Sequence, residues 1–508
     1  MRKIFIPLAL VIFSAMAHGQ KKPGVQIQDS ITYYLQIPEF FKAITLLDQE
    51  IVAKPTSSLH LTRGMAKTET GQLAAAIGDF NQALLLNPKN DTAYYNLAYV
   101  HYLQGNYGVA IDYYDSALII NAKNPYYLIA RGDAFLEMDN FRLAERDYRQ
   151  AMAYDKEADL AFYGISLCHF YQDQFDSASY YLNFAISLDP FDADYYYQRA
   201  ACKVAIGDYM KAMADLDRSI DIDPDQLDAR MMRASLLMDF SETEAALADL
   251  DYCIAVDSSD TGLLMDHGNA LMALGEFSMA LKDFSRIIAI DKGADVAWYN
   301  RGLIYFLMAD NEKAISELSQ AIALNSKDED YFIQRAICYG IIGKSTEGMN
   351  DFATAIKLNP GNPDTYFKRA LTYYEMGSYA ESLADLDQAF KLDPEYQGIF
   401  LFRAENYAAL EQDELALKNY DLAIIDDREN GENFFKRGIY LYETGNYQGA
   451  MDDFNYAIAL DESIPAPYVN RGLLKLELKD QDGACSDWKK AFQLGSEYAQ
   501  ELLKKNCK

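Results

Sequence analysis

Apolar residues recur every three to four positions along most of the chain, and short turn signals interrupt this periodicity at regular intervals. One kind of break, as in Gly105-Asn106-Tyr107 and Gly207-Asp208-Tyr209, places glycine where a helix can end and a polar residue that can cap the next helix. The other kind often carries a proline, such as Pro88 or Pro190, which blocks continuation of a helix. The pattern predicts a series of short α-helices joined by short turns.

These breaks recur with a fixed period of 34 residues. Counting from Ser57, thirteen units follow one another without insertion or deletion as far as Tyr498. Numbering the positions of each unit from 1, position 8 is always glycine, alanine or serine, and position 20 is alanine in eleven units. Small residues at fixed helical positions let two helices approach closely. Each unit is therefore predicted to pair a helix A with a helix B, and to pack on its neighbours.

The repeated residues resemble the tetratricopeptide repeat, whose pattern is W-x2-L-G-x2-Y…A-x3-F…P. The eighth unit is closest, with Trp298, Gly302, Tyr305 and Ala314. There Leu318 replaces the phenylalanine and Ser326 replaces the proline, whereas other units restore both. The resemblance implies an all-α fold, namely an α-solenoid in which antiparallel helix pairs stack into a right-handed superhelix.

The first 19 residues differ from the rest of the chain. Arg2 and Lys3 precede an apolar run from Ile4 to Ala15, and Ala15-Met16-Ala17 is a small-x-small cleavage signal. The run is too short to span a bilayer, and no later stretch reaches about 18 apolar residues. We predict that residues 1–19 form a cleaved signal peptide and that the mature protein is periplasmic or secreted.

The segments that flank the thirteen units are predicted to be caps. Residues 20–56 are interpreted as a degenerate N-terminal repeat, because they lack the small residues of positions 8 and 20, which serve contacts with an upstream neighbour. Residues 499–508 extend the last unit with one amphipathic helix, a C-terminal cap. The repeat array itself covers residues 57–498.

Arginine at position 7 and a carboxylate at position 23 occur together. Where the arginine is lost, at Leu97 and Ile165, the acid is lost too. This covariation indicates contact, because a partly buried charge without its partner is costly and a guanidinium suits two parallel hydrogen bonds to a carboxylate. We predict structural ion pairs; the alternative is an arginine ladder that binds phosphate or an acidic ligand. The nine pairs are Arg63/Asp79, Arg131/Asp147, Arg199/Asp215, Arg233/Asp249, Arg301/Glu317, Arg335/Asp351, Arg369/Asp385, Arg437/Asp453 and Arg471/Asp487.

Two further units vary this pair. The seventh carries His267 with Asp283, and in the eleventh Arg403 faces Asn419, which keeps a hydrogen-bond acceptor.

The six cysteines fall into two groups. Four occupy small positions of the repeat and are predicted to be buried packing residues: Cys168, Cys202, Cys253 and Cys338. Cys485 lies on the last helix B and Cys507 on the terminal helix. Some envelope repeat proteins are similar in ending with such a pair. An oxidising compartment permits a disulfide between them, so the two are either bridged or free.

In the tetratricopeptide family, positions 2, 5, 6, 9, 12 and 13 contribute most of a concave groove. Here positions 5 and 12 are rich in aromatic residues and position 6 in amides, which suit anchoring and peptide-backbone pairing. Aromatic residues at these positions can instead pack between neighbouring helices. The candidate groove residues are Tyr95, Asn96, Tyr102, Tyr163, Phe170, Tyr197, Gln198, Tyr299, Asn300, Phe306, Gln334, Phe367, Lys368, Tyr374, Phe435, Lys436, Tyr442 and Asn470.

Net charge and the motifs that the sequence lacks narrow the classes of function expected of this protein. The formal net charge of −30 disfavours nucleic acid as a partner and favours a neutral or basic protein segment. No nucleotide-binding loop, nucleophile elbow or metal-binding motif occurs, so neither a catalytic residue nor a cofactor or metal is assigned. We predict a non-enzymatic scaffold of the bacterial envelope that binds an extended peptide or protein. A glycan- or cell-wall-binding solenoid and a non-catalytic subunit of a secretion or envelope assembly complex are the alternatives.

Overall fold

A computed structural model of the protein describes residues 27–37 and 39–507. Across these residues, regular structure consists of 29 α-helices and no strand. None of the described helices has the length and apolar character needed to cross a membrane. The predicted signal peptide, residues 1–19, lies outside the described residues.

The chain divides into two compact units, the first ending at Val256 and the second beginning at Asp257. The first contains α1 Ile27–Gln36, α2 Phe40–Ala53, α3 Ser57–Glu69, α4 Leu73–Leu86, α5 Asp91–Leu103, α6 Tyr107–Ile120, α7 Pro125–Leu136, α8 Phe141–Tyr154, α9 Asp159–Phe170, α10 Phe175–Leu188, α11 Ala193–Ala205, α12 Tyr209–Ile222, α13 Leu227–Asp239 and α14 Thr243–Val256.

The second unit contains α15 Thr261–Ala273, α16 Phe277–Ile290, α17 Asp295–Leu307, α18 Asn311–Leu324, α19 Glu329–Ile341, α20 Ser345–Leu358, α21 Pro363–Glu375, α22 Tyr379–Leu392, α23 Ile399–Ala409, α24 Asp413–Asp426, α25 Gly431–Glu443, α26 Tyr447–Leu460, α27 Pro465–Glu477, α28 Gln481–Gln493 and α29 Glu497–Asn506. Within each of these two compact units, a helix packs chiefly on the helices just before and after it in sequence. The predicted all-α fold of stacked antiparallel helix pairs is confirmed.

The turn between helix A and helix B has one conformation throughout the array. Position 15 has a positive φ in all thirteen repeats, which reverses the chain in three residues. Seven repeats use glycine there, such as Gly105 with φ 75°, and six place a non-glycine residue in the same left-handed conformation, such as Ala309 with φ 60°. The constant turn keeps every A–B pair in the same register despite the cost of the six non-glycine residues.

The core of each helix pair explains the small residue at position 8. A Cβ atom on Gly132 would lie 2.7 Å from the Tyr148 ring, and one on Gly472 would lie 2.5 Å from Trp488. Tyr148 and Trp488 occupy position 24 of helix B and are fully buried. In these two repeats the ring at position 24 leaves no room for a Cβ atom opposite it on helix A. Tyr114, Phe352 and Tyr420 are rings at the same position that face alanine.

Candidate functional site

Four of the six aromatic residues predicted at position 5 of the groove form ring contacts between repeats. Three of these rings, those of Tyr95, Tyr163 and Tyr299, rest on the position-3 ring of the next repeat. The hydroxyl of that second ring can reach back, as Tyr195 donates to Asp159 at 2.6 Å. Burial raises the pKa of Tyr299 to about 12. The rings of Tyr95–Tyr127 and Tyr299–Tyr331 are stacked, at 5.1 and 4.8 Å between centroids, and those of Tyr163–Tyr195 are tilted at 5.0 Å.

The aromatic residues predicted at position 12 pack within their own repeat. Their rings contact the aromatic residue at position 17, which begins helix B, and Tyr102 is buried. Phe306 packs against the apolar cluster of Leu318 and Cys338. The pairs of positions 12 and 17 are Tyr102–Tyr107 at 5.2 Å, Phe170–Phe175 at 5.5 Å, Tyr374–Tyr379 at 5.4 Å and Tyr442–Tyr447 at 5.9 Å.

Five of the seven polar groove candidates are also engaged inside the array. Asn96 donates to its own helix, to the Thr92 carbonyl at 2.8 Å, and Asn470 does the same to Ala466 at 3.0 Å. Lys436 binds Glu405 at 2.8 Å. Lys368 forms an ion pair with Asp364 at 2.6 Å, and Asn300 donates to Asn269 at 2.9 Å.

None of the eighteen groove candidates is fully exposed. The structure places five of them in the interior, where they cannot contact a partner: Tyr95, Asn96, Tyr102, Gln198 and Asn300. The remaining thirteen are half-buried. Ring stacking between repeats uses much of the surface that the family pattern assigns to ligands.

The arginines of position 7 lie against the carboxylates of position 23. Arg131 donates through Nε and Nη2 to the two oxygens of Asp147, at 2.6 and 2.9 Å. The Asp147 carboxylate is fully buried, while the Arg131 side chain is 15% exposed. The same two-bond pairing occurs in seven other repeats: Arg63/Asp79, Arg199/Asp215, Arg233/Asp249, Arg335/Asp351, Arg369/Asp385, Arg437/Asp453 and Arg471/Asp487.

The acids of these pairs are buried more deeply than their arginines. Asp215 is buried at 5% exposure, Asp385 is buried at 6% and Asp487 is buried at 5%. The acids of the other two-bond pairs are buried as well: Asp79, Asp147, Asp249, Asp351 and Asp453. Partial burial applies to the arginine of each pair, because position 23 faces helix A and the guanidinium lies outside the carboxylate. A ligand therefore cannot contact these carboxylates.

The remaining pairs are simpler. Arg301 makes one bond to Glu317 at 2.9 Å, and His267 Nδ1 lies 2.7 Å from Asp283. Arg403 turns away from its own repeat and binds Asp387 of the repeat before it. Asn419 does not serve as its acceptor, and instead donates to the Leu415 carbonyl at 2.8 Å.

A second partner of the arginines is not evident from positions 7 and 23 alone. The free Nη1 of Arg131 donates to Asp115 at 2.5 Å, and that of Arg437 donates to Asp421 at 2.6 Å, both at position 25 of the preceding repeat. Asp, Asn or Ser occupies position 25 in ten of the thirteen repeats, which is a signal that the sequence contains. In these repeats the arginines therefore join successive repeats.

The six cysteines comprise one disulfide pair and four free, buried residues. Cys485 and Cys507 form a disulfide that ties α29 to α28. The other four, Cys168, Cys202, Cys253 and Cys338, are free and buried. Burial raises the pKa of Cys202 and of Cys338 to about 11, so both thiols stay protonated at neutral pH.

An open cleft of about 590 Å³ interrupts this packed array in the eleventh repeat, residues 397–430. Its apolar wall includes Phe367, Phe400, Leu401 and Phe402. Its rim carries four exposed carboxylates, those of Glu395, Asp426, Asp427 and Glu432. No lysine, arginine or histidine lies among the lining residues. We call this the repeat-11 cleft.

Local departures from the repeat pattern create the repeat-11 cleft. The other twelve A helices begin at position 1, and seven are capped by the Asn or Asp side chain at position 34. Here position 34 is Tyr396, which donates to Asp364 at 2.7 Å and packs on Phe367 instead of capping. Gly398, with φ 85°, then takes the cap position, and α23 begins only at Ile399. The two helical residues missing from the start of α23 leave the space that the cleft occupies.

The floor of the repeat-11 cleft is held by a buried amide. Asn433, 5% exposed, donates to the Ala423 carbonyl at 2.9 Å and to the Asp427 carbonyl at 3.2 Å. It thereby fixes the end of α24 against the start of α25. Only Phe367 of the groove candidates lines this cleft, so the family pattern did not locate it.

Comparison with known proteins identifies the repeat. Models of the tetratricopeptide repeat match residues 61–125, 129–193, 193–226, 296–328 and 363–396. The chain is 30% identical over 101 residues to the lipoprotein NlpI homolog of Haemophilus influenzae, which covers 20% of this chain and 32% of that relative. It is 31% identical over 105 residues to the photosystem I assembly protein Ycf3 of Cyanophora paradoxa, covering 19% of this chain and 61% of that relative.

The chain thus aligns with less than two thirds of the length of each of these relatives. Among solved structures, a tetratricopeptide repeat protein of Parabacteroides merdae aligns with 48% of this chain and 97% of its own length, at 20% identity and a TM-score of 0.41. A similarity of this size does not bear on function.

Proposed function

The chain is a tetratricopeptide-repeat protein, and from that premise we propose that it is a non-enzymatic scaffold that holds an extended segment of a partner protein. Proteins built from such repeats generally mediate protein–protein interaction. The observation that supports a specific site is the repeat-11 cleft, an open cleft with apolar walls in an array whose other candidate side chains are packed together. A concave site of this volume lies within the usual range of about 300–1,000 Å³ for ligand pockets.

The departures from the repeat pattern support the same site. The eleventh repeat loses its cap at Tyr396, carries Gly398 inside the first turn and places Asp426 where the other twelve repeats have an apolar residue. The first two changes weaken the local fold, through a lost cap and through backbone entropy. Rules of the fold that are broken together at one place are expected at functional sites.

Photo-crosslinking in the producing cell tests the proposal. The photoreactive residue p-benzoylphenylalanine replaces Gln397, which lines the repeat-11 cleft, and in a matched control it replaces the exposed Glu429 nearby, which does not. We expect a discrete protein adduct at position 397, identified by mass spectrometry, and none at position 429. Adducts to glycan alone at position 397, or no adduct from that position, would contradict a protein-binding scaffold.

We further propose that the protein acts in the bacterial envelope. The support is the leader pattern of residues 1–19 and the Cys485–Cys507 disulfide, which persists in an oxidising compartment. The first residue of the mature chain, read by N-terminal sequencing after cell fractionation, is expected to be Gln20 in an envelope or secreted fraction. A cytosolic protein that keeps Met1 would contradict this location.

A further inference from the structure

We propose that the repeat-11 cleft is a cation subsite that takes an arginine side chain of the partner segment. This inference rests on the proposed function and specifies the chemistry of the same site. Its basis is the cleft itself, the kinds of side chain that line it and the way in which this chain binds its own arginines.

The charged side chains that line the repeat-11 cleft are all acidic. Glu395 comes from the loop before α23, Asp426 and Asp427 from the end of α24, and Glu432 from the first turn of α25. Four carboxylates from three segments thus surround one opening. Lys436, one turn beyond Glu432, binds Glu405 and does not line the cleft.

Asp426 sets this repeat apart from the others. Its position 30 is an aliphatic or aromatic residue in the other twelve repeats. An acid at the C-terminal end of a helix is unfavourable, because the carbonyl ends there carry partial negative charge. A cationic side chain bound between Asp426 and Asp427 would relieve this repulsion.

The walls favour a guanidinium over an ammonium group. Phe367 and Phe402 meet edge to face at 5.2 Å and give the cleft aromatic sides. A planar guanidinium can lie on such a ring while its N–H groups reach carboxylates, whereas an ammonium is a compact and strongly hydrated charge.

The chain uses the same arrangement for its own arginines. The Arg230 guanidinium lies 4.0 Å from the centroid of the Tyr252 ring and also binds Asp249 at 2.9 Å. Arg403 lies 5.0 Å from the Phe390 ring and binds Asp387. Arginine held by a ring and a carboxylate is therefore a recurrent contact in this fold, and the repeat-11 cleft offers both groups without supplying the arginine.

Saturation-transfer NMR on the full chain tests the inference with two small probes. Nα-acetyl-L-argininamide carries the cation, and Nα-acetyl-L-citrullinamide is its neutral isostere. The cleft variant is D426N/D427N, in which the amide oxygen introduced at position 427 can still accept the bond that Asp427 Oδ1 receives from the Glu429 amide. The matched control, E414Q/E429Q, removes the same charge from exposed positions that do not line the cleft.

We expect the arginine probe to bind wild type and the control alike, and to bind D426N/D427N about fivefold more weakly, the effect of losing about one favourable ion pair. The citrulline probe should bind all three proteins equally weakly. Equal binding of the arginine probe to the two double variants would overturn the subsite and leave the scaffold role to the crosslinking result. If no protein adduct forms at position 397 in the crosslinking experiment, the scaffold role is overturned, whatever the two probes show.

Discussion

The Tyr148 hydroxyl donates a 2.7 Å hydrogen bond to Oδ1 of Asp133, between the two helices of the third repeat. Burial raises the pKa of Asp133 to about 7, the bond from Tyr148 lowers it, and the neighbouring Glu137 carboxylate raises it. An unfolded chain has a carboxyl pKa of about 3.9 at this residue. The folded state thus binds a proton that the unfolded state has released over most of the range between pH 4 and 7.

Asp133 should therefore make the third repeat less stable as the pH rises from 4 to 7. Ionisation of the Asp133 carboxyl in the folded state lowers the free energy of unfolding. This loss is absent below about pH 4 and reaches about 2–4 kcal/mol above about pH 7. Asp133→Asn keeps an acceptor for Tyr148 and removes this loss. Hydrogen exchange of α7 and α8 should show the variant to be more stable than wild type at pH 8 and equal to it at pH 4. The exposed Glu157→Gln variant serves as the control, and the same gain at both pH values would contradict this account.

Gly132→Ala should destabilise the same repeat by about 1–2 kcal/mol. The added Cβ would lie 2.7 Å from the fully buried Tyr148 ring, and such overpacking outweighs the better helix propensity of alanine. Gly108→Ala is the matched control, since no atom lies within 4 Å of its added Cβ. Thermal unfolding should move in opposite directions for the two variants, with Gly108→Ala slightly stabilised. A neutral Gly132→Ala would mean that the ring can shift.

Ala309→Gly should stabilise the eighth repeat by about 1 kcal/mol. Ala309 has φ 60° in the turn where seven other repeats use glycine, and an L side chain pays a steric cost in this conformation. The reverse change, Gly445→Ala at φ 83°, should destabilise the twelfth repeat by a similar amount. Hydrogen exchange of the flanking helices gives both values, and effects of the same sign would rule out backbone strain as the cause.

Removing one partner of an arginine pair should cost more than replacing both. Asp453→Tyr leaves the Arg437 guanidinium, 23% exposed, with Asp421 alone, and is expected to destabilise the twelfth repeat by about 3 kcal/mol. The double variant R437L/D453Y recreates the Leu97/Tyr113 combination of the second repeat and should cost less than the single change. A double-mutant cycle by urea unfolding checks the coupling, which would be near zero if the pair contributed nothing.

Reduction of the Cys485–Cys507 bond should loosen the C-terminal helix. The bridge closes a separation of 22 residues, which corresponds to about 3 kcal/mol of restricted unfolded-chain entropy. Hydrogen exchange in α29 should rise on reduction and in C485S/C507S, while α27 changes little. The intact mass of the protein made in its native compartment should be lower than that of the reduced chain by the mass of two hydrogen atoms. An unchanged mass would show that the two thiols are free there.

Much of the fold could be predicted from the sequence because the same 34-residue pattern is written thirteen times. Each copy supplies an independent reading of the helix ends, the small contact residues and the pairing of position 7 with position 23. Averaging over copies removes the ambiguity that a single helix pattern such as Phe141–Tyr154 would leave. The polar residue at position 25, which is the second partner of the position-7 arginines, could have been found by the same comparison of copies.

The candidate site was less predictable, for the opposite reason. Repetition describes what the copies share, whereas the repeat-11 cleft arises where one copy departs from the others, at Tyr396, Gly398 and Asp426. The family pattern also cannot tell a ring that faces a ligand from one that stacks on the next repeat, as Tyr95 does on Tyr127.

The sequence by itself determined the helix pairs, their period and the residues that join them, because these depend on local propensity and on contacts at a fixed sequence separation. Tertiary structure alone decided which aromatic and amide side chains remain accessible, how deeply the paired carboxylates are buried and where a cavity opens. Burial depends on how neighbouring repeats close over each side chain. The loss of two helical residues before Ile399 opens space for residues that lie far away in sequence, such as Phe367 and Asn433.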